Sequence, residues 1–456
     1  MRVGALLRQV SLSAAIVALA SQAHQSDGQV RSRPGEILAA LGMNLHDQTQ
    51  PPAQVTDPAI TDAELPGAIY KEAMHPLDVV RQSLDNWSDA ELGALSIGIH
   101  TAREACDKMK AEDYSKDDLY DLAHLCAFGQ DWNPANTAAQ RYIASKEPEH
   151  RTQAYAISIG AFVHLNAADL ALATTREMLR VQPYDAEAAY AVHYIKSYLE
   201  VTGDPHVLQV AEEEHAKIID ALTKGTPLKA NYGDAVVNVG LLFEMAIEAA
   251  FYEKYAGDDA QAAQFQADVE RALPQNAMLT GEDRQEIDSA KLQYHLLGTE
   301  LKQIPVIRSY KSATAKAQAD ANFGANFGAA TALVVFPDWC VQCKRMMPTM
   351  TQFEQVNAGT PIYTYGLIFK QSGEESAPDA EKGLLGTDVM EVSENTARSF
   401  GTTDYPLGIV VDHTGVIRFI GVIPGDAFNG DGYMEKVITR MVGAQVRTLP
   451  AAPRGD

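Results

Sequence analysis

The chain of 456 residues is short of several things, and each shortage narrows what it can be. It has four cysteines, and only Cys340 and Cys343 stand in a C-x-x-C pair. A zinc site usually takes four ligands, as two such pairs or as one pair with histidines, so a zinc reading lacks its second half. Basic residues are scarce: 37 Lys and Arg against 60 Asp and Glu give a formal net charge of −23. That surface repels phosphate backbones and argues against nucleic-acid binding. Long apolar runs are missing too. The longest near the start, VSLSAAIVALA, falls well short of the ~20 residues that span a bilayer. No second such run follows, so stable membrane insertion is not expected.

What is present begins with compartment. MRVGALLRQ carries Arg2 and Arg8, the apolar run follows, and ASQA supplies small residues before HQSDG. This is the pattern of a secretory signal peptide over 1–23, which implies an exported, periplasmic or secreted protein whose disulfides can form and persist. Length suggests roughly three domains, and 46% hydrophobic with 21% charged residues is ordinary globular composition.

Residues 24–73, with QTQPPAQVTDP in the middle, have few large apolar side chains and read as a disordered leader. From 74 to 302 the periodicity is helical. Leu92, Leu95, Ile99 and Ala102 recur at spacings of three and four, as do Leu119, Leu122, Ala123 and Cys126, and Ser88 and Ser115 are plausible N-caps. TQAYAISIGAFVHLNAADLALATTREMLRVQP resembles one tetratricopeptide unit. Tyr155, Phe162, Ala171, Leu179 and Pro183 stand at that pattern's aromatic, aromatic, small, apolar and Pro positions, while Ile159 replaces its usual small residue. Residues 74–302 are therefore expected to form a helical-repeat-like domain, with an irregular helical bundle as the alternative. Cys106 and Cys126 flank the turn EDYSKDD. Two helices folded back there would bring them together as a structural disulfide; the other reading is a pair of small core residues.

Residues 303–324 are small and polar and read as a linker. After them TALVVF, PIYTYGLIF, PLGIVVD and GVIRFIGVI are strand-like, with helical stretches between, which indicates an α/β domain over 325–445, followed by a disordered tail at 446–456. The expected architecture is multidomain: all-α first, α/β second.

In FPDWCVQCKRMMP a buried strand leads through Pro337, Asp338 and Trp339 to Cys340, where a helix begins. The free amides and dipole of a helix start favour a thiolate, so Cys340 would be the more exposed, attacking sulfur and Cys343, one turn further in, the resolving one. Lys344 and Arg345 add positive charge in that turn. Three readings stay open: half of a zinc site, for which His413 is the one histidine that follows nearby; a static staple, which closes too short a loop to stabilise much; and a redox centre, which the residues favour.

VVFPDWCVQCKRMMP resembles the active-site segment of the thioredoxin family: strand, Trp-Cys-x-x-Cys-Lys, and Pro348 five residues after the second cysteine. ARSFGTTDYPLGIVVDHTGVIRFIGVIPGD resembles the family's later segment, in which a small helix leads to a cis-proline and two antiparallel strands. Pro406 matches the cis-proline, and the D-x-x-G hairpin resembles the exported TlpA/ResA-like and AhpC/TSA-like redoxins. The resemblance covers under a third of the chain. It implies a thiol-disulfide oxidoreductase with Cys340 and Cys343 catalytic and redox-active. Trp339, Tyr405 and Pro406 would lie along the substrate, with no metal and no cofactor. Partners would be protein clients with disulfides or thiols and a redox partner protein. Two departures stand out. Val334 occupies the position of the family's buried Asp, for which Glu374 or Glu375 is a candidate substitute, and Val-Gln replaces Gly-Pro between the cysteines. The T-x-x-C pattern of peroxiredoxins is absent, which disfavours peroxidase activity. The competing reading makes the helical array the working part and the thioredoxin-like domain a docking or sensing module.

Overall fold

Apolar residues spaced three and four apart make helices here, and continuous apolar runs make buried strands; the two kinds of pattern fall in different parts of the molecule. The structure, a computed structural model, describes residues 65–80, 89–146, 148–231, 235–310, 322–323, 329–370, 388–402, 404–424, 427–428 and 433–443. The signal peptide, nearly all of the leader, Ser88, Glu374, Glu375 and the tail beyond residue 443 lie outside them. The chain divides into two compact units. Among the described residues the first takes 65–200, 204–242 and 272–277, and the second takes 201–203, 243–271 and 278–443.

The first unit is helical: α1 (Pro66–Val80), α2 (Asp89–Cys106), α3 (Asp117–Phe128), α4 (Trp132–Ile143), α5 (Arg151–His164), α6 (Ala168–Val181), α7 (Ala186–Thr202) and α8 (His206–Thr223), then a two-residue hairpin of β1 (Leu228–Lys229) and β2 (Val236–Val237). Helix α1 begins inside the stretch read as leader; Tyr70, Ala73, Met74 and Leu77 supply an apolar face that sequence counting undervalued. That face packs on Leu95, Ile99 and Ala102 of α2. At Gly98 the helices approach so closely that a Cβ would stand 2.5 Å from the Ala73 carbonyl oxygen.

Ser115 does not cap α3. Lys116 takes the N-cap position at φ 51°, with no side-chain cap bond. The left-handed residue reverses the chain, and α2 and α3 fold back so that Cys106 and Cys126 meet, both buried, with their Cα atoms 5.2 Å apart and their sulfurs bonded. Over the stretch from Thr152 to Pro183 lie the consecutive helices α5 and α6, with Ala171 fully buried.

The second unit combines α9 (Val239–Ala256, from residue 243), α10 (Asp259–Ala272, to residue 271) and α11 (Gly281–Leu296) with a mixed sheet. A reciprocal cap starts α11: the Asp283 amide donates to Thr280 Oγ1 and the Thr280 amide to the Asp283 carboxylate. The sheet holds β3 (Ile304–Tyr310), β4 (Asn322–Phe323), β5 (Ala330–Pro337), β6 (Ile362–Phe369), β7 (Val389–Val392), β8 (Leu407–Val411) and β9 (Ile417–Val422), in the order β4-β3-β7-β6-β5-β8-β9. Strands β5, β6 and β7 are parallel; β3, β8 and β9 pair antiparallel with their neighbours.

Strand β3 falls within the stretch read as a linker. Its burial is secured by pairing with β7, some eighty residues on, which local pattern cannot show. Strand β5 is buried along its whole length, as a parallel strand covered on both faces must be. Its even-numbered residues, Ala332, Val334 and Phe336, face α12 (Val341–Val356) and α14 (Tyr433–Val442). Its odd-numbered residues, Leu333 and Val335, face a second core with Leu296, Leu297 and Phe251 and with Ala397 of α13 (Glu394–Arg398). Among the described residues no helix is long and apolar enough to cross a membrane.

Candidate active site at the Cys340–Cys343 pair

Strand β5 delivers the chain to the site. Beyond its last residue the Asp338 amide still donates to the Phe369 carbonyl at 2.9 Å, so the β5–β6 ladder reaches to within two residues of Cys340. The Cys340 amide donates back to the Pro337 carbonyl at 3.1 Å and closes a tight turn. Helix α12 then begins, with Cys340 as its N-cap residue in extended backbone. The Cys343 amide donates to Cys340 Sγ at 3.3 Å. An orphan amide of a helix start therefore points at this sulfur, which is the arrangement that stabilises a thiolate there. Pro348 lies inside α12, where it lacks the amide that would bond four residues back.

The two sulfurs are bonded, with Cα atoms 5.3 Å apart. Cys340 is 2% exposed and Cys343 0%. Cys340, expected from the sequence to be the more exposed sulfur, is so only by this small margin. In the bonded state both are buried, because Met346, Met347, Met350 and Phe353 of α12 seat that helix deep against the sheet. Against β6 the packing is close: a Cβ on Gly366 would stand 2.9 Å from Met347 Sδ. Lys344 is partly exposed and Arg345 exposed.

The antiparallel β5–β8 register ends at Val335 opposite Leu407. One step further, Pro406 comes level with Phe336, beside the point where the cysteine turn leaves the sheet. The Tyr405–Pro406 peptide is cis. Pro406 is buried, and its carbonyl accepts from the Ile423 amide at 3.0 Å. Tyr405 and Trp339 are half-buried and pack against the core cluster that contains both cysteines. The Tyr405 ring lies 5.5 Å from that of Phe369, and burial above all pushes its phenol up to about 12. Trp339, Cys340, Cys343, Tyr405 and Pro406 are thus gathered at one end of the sheet.

Val334, which stands where an acid was expected, is fully buried and apolar. His413 is exposed on the β8–β9 turn. Asp412 organises that turn. It accepts from the Thr414 and Val416 amides at 2.8 and 3.1 Å and from Arg418 Nε at 2.7 Å. Burial alone would raise its pKa, but the Thr414 and Arg418 side chains and those amides bring it down to about 2. Among the described residues no group of three or more His, Cys, Asp or Glu side chains could hold a metal ion.

Sequence reasoning passed over several polar groups near this end of the sheet. Asp338 is buried directly before Trp339. Glu391 of β7 accepts from the Tyr310 hydroxyl at 2.9 Å and pairs with Lys370 at 3.5 Å. Helices α9 and α11 also brace the site. The Tyr255 hydroxyl donates to the Ile420 carbonyl at 3.1 Å, and Gln293 Nε2 donates to the Gly401 carbonyl. Glu244 is pushed well up by burial, then by Asp404, Glu286 and Glu248. These groups come from segments far apart in sequence, and no local pattern joins them.

No protein-family model matches the chain, and no curated protein matches it. Solved structures do. The thioredoxin domain of a thiol-disulfide oxidoreductase from Bacteroides vulgatus is 17% identical with a TM-score of 0.24, over 30% of this chain and 93% of that one. A thioredoxin-family thiol:disulfide interchange protein from Chlorobium tepidum is 18% identical with a TM-score of 0.23, over 31% and 99%. A thioredoxin-like protein from Bacteroides caccae is 9% identical with a TM-score of 0.30, over 57% and 92%. The parallel strand leading to a cysteine pair at a helix start, the cis-proline level with that strand's end, and the closing antiparallel hairpin together make the second unit thioredoxin-like.

Proposed function

We propose that the protein is an exported thiol-disulfide oxidoreductase that exchanges disulfides with protein clients through Cys340 and Cys343. The observation that supports it most is the oxidised pair at the start of α12 beside the cis-Pro406 peptide. In the reducing direction the Cys340 thiolate attacks a client disulfide, a mixed disulfide forms, and one client sulfur leaves as thiolate. Cys343 then attacks Cys340 Sγ, the second client sulfur leaves, and two electrons have passed from the pair to the client. The oxidising direction runs these steps backwards. An extended client segment lies along Tyr405 and Pro406 with Trp339 beside it. Proline has no amide, so the ladder to the client uses the Tyr405 backbone. The helical unit, as a tetratricopeptide-like array held by the Cys106–Cys126 bond, recruits clients or the redox partner.

The test is turnover. Cys340→Ser abolishes insulin-disulfide reduction, and Cys343→Ser accumulates a mixed disulfide on Cys340. Activity persisting in Cys340→Ser would sink the assignment. The reduction potential of the pair then sets direction: a value near about −270 mV marks a reductant and one near about −120 mV an oxidant. One observation favours a second reading, in which this unit only docks or senses. Both sulfurs are buried in the bonded state. A pair that resists dithiothreitol in the native protein would decide for that reading.

A further inference from the structure

We propose that Gln293 of α11 is a positioning residue for protein clients: by holding Gly401 it sets where the Tyr405 backbone meets an extended client segment. This rests on the exchange reading above. In that reading the client pairs with the Tyr405 backbone, so client recognition depends on how firmly this short segment is held. The sheet holds it from one side. Pro406 runs into β8, its carbonyl accepts from the Ile423 amide at 3.0 Å, and the Tyr405 ring rests 5.5 Å from that of Phe369. On the side that arrives from α13, the support comes from α11.

Gly401 is the point of contact. Its amide donates to the Arg398 carbonyl at 3.0 Å and closes the turn after α13, at φ 67°, a backbone conformation that favours glycine. It is also seated tightly on α11: a Cβ there would stand 2.6 Å from the Ser289 carbonyl oxygen and 3.1 Å from Leu292 Cβ. Gln293 Nε2 donates to the Gly401 carbonyl. One residue on, Thr402 is buried and its Oγ1 donates to the Asp404 carbonyl at 2.6 Å. That carbonyl belongs to the peptide joining Asp404 to Tyr405, so the hold on Gly401 reaches the residue that pairs with the client.

Helix α11 can bear this role because it is tied to the sheet independently of Gln293. Beyond its end the Gly298 and Leu301 amides donate to the Ile417 and Gly415 carbonyls, each at 2.8 Å, and the Ile417 amide donates to the Thr299 carbonyl at 2.9 Å. One helix thus links the start of β9 to the turn before Tyr405. The cysteine pair is carried by β5 and α12 instead. A small disulfide that engages the sulfurs alone should therefore be indifferent to Gln293, while a peptide-borne disulfide should not.

The experiment measures, by quenched flow, the second-order rate constants with which the reduced full-length protein reacts with two probes, insulin and oxidised glutathione. Gln293→Met keeps the length of the side chain and removes its donor. It is expected to slow the insulin reaction about tenfold, within the roughly hundredfold that a small misplacement can cost. The glutathione rate constant and the reduction potential of the pair should stay at wild type. Gln293→Lys restores a donor of similar reach and should recover most of the insulin rate. An unchanged insulin rate in Gln293→Met, equal losses with both probes, or no recovery in Gln293→Lys would overturn the proposal. If Gln293→Met does not fold, Gln293→Asn, whose amide falls one methylene short, takes its place; failure of both to fold would make Gln293 a structural residue and overturn the proposal as well. So would a wild type that reacts with glutathione alone. A wild type that reacts with neither probe would instead sink the exchange reading itself.

Discussion

The molecule has two cysteine pairs that look alike by the usual criteria. Cys106–Cys126 and Cys340–Cys343 are both bonded and both buried, with Cα separations of 5.2 and 5.3 Å. Their surroundings differ. Cys106 closes α2 and Cys126 sits in the last turn of α3, so the first bond ties two helices across 20 residues, and Arg103 Nε adds a tie between the same helix ends by donating to the Gly129 carbonyl at 2.8 Å. The second bond spans one helical turn and receives an amide hydrogen bond at Cys340 Sγ, and the cis Tyr405–Pro406 peptide lies at the same end of the sheet. Burial and oxidation therefore do not separate the two pairs; the helix start and the sheet end do, and it is on them that the proposed exchange at Cys340 and Cys343 rests.

The strongest way to break this comparison is to exchange the roles. Cys340→Ser should lower insulin-reduction activity by a thousandfold or more, because the step has no other nucleophile in place. Cys106→Ala with Cys126→Ala should leave that activity near wild type at temperatures where the helical unit stays folded. Equal losses in both would remove the distinction. Next in size is a structural test of the helical unit. Lys196 Nζ and Glu214 Oε2 are 2.7 Å apart and 1% and 2% exposed, and the Tyr184 hydroxyl also donates to Glu214. Lys196→Ala strands a buried carboxylate and should cost about 3–5 kcal/mol, read by denaturant unfolding, again with exchange activity intact below the transition.

The thioredoxin-like core was legible because its signals are local. The run TALVVF, the C-x-x-C pair with the helix behind it, and Tyr405-Pro406 each carry their own pattern, and β5, α12 and the cis peptide fall on them. Strands β3 and β7 were not legible. Ile304–Tyr310 mixes apolar residues with Pro305 and Arg308, and VMEV is four residues long with an acid in it. Pairing with each other and with β4 and β6, rather than local pattern, makes them strands. Helices α9 and α11 read as part of the helical array because an amphipathic helix does not say which core it serves. Tyr255 and Gln293 reveal the answer only through contacts with residues more than a hundred positions away. Asp338 was visible as a letter, but its burial was not.

The smaller effects sharpen the comparison. Removing the Cys106–Cys126 bond should destabilise the helical unit by about 3 kcal/mol in the chain-entropy model. The same expression gives about 2 for the Cys340–Cys343 loop, so the larger loss should track the first pair in reductant-dependent unfolding. Last come two opposed pH slopes. Burial, then Asp185, pushes Glu187 in the helical unit up to about 8, although Gln153 donates to it. The folded state holds that proton more tightly than the unfolded one, so this contribution is present below about pH 4.5 and is lost as pH rises toward 8. Asp412 in the sheet unit is held at about 2, so its contribution is present above about pH 4 and is lost as pH falls toward 2. Asp412→Asn should cost about 1 kcal/mol at pH 7 and flatten the acid limb. Amide exchange followed separately in peptides of the two units should show stability falling with rising pH in one and with falling pH in the other. Parallel slopes would mean that neither carboxyl is held as its surroundings indicate.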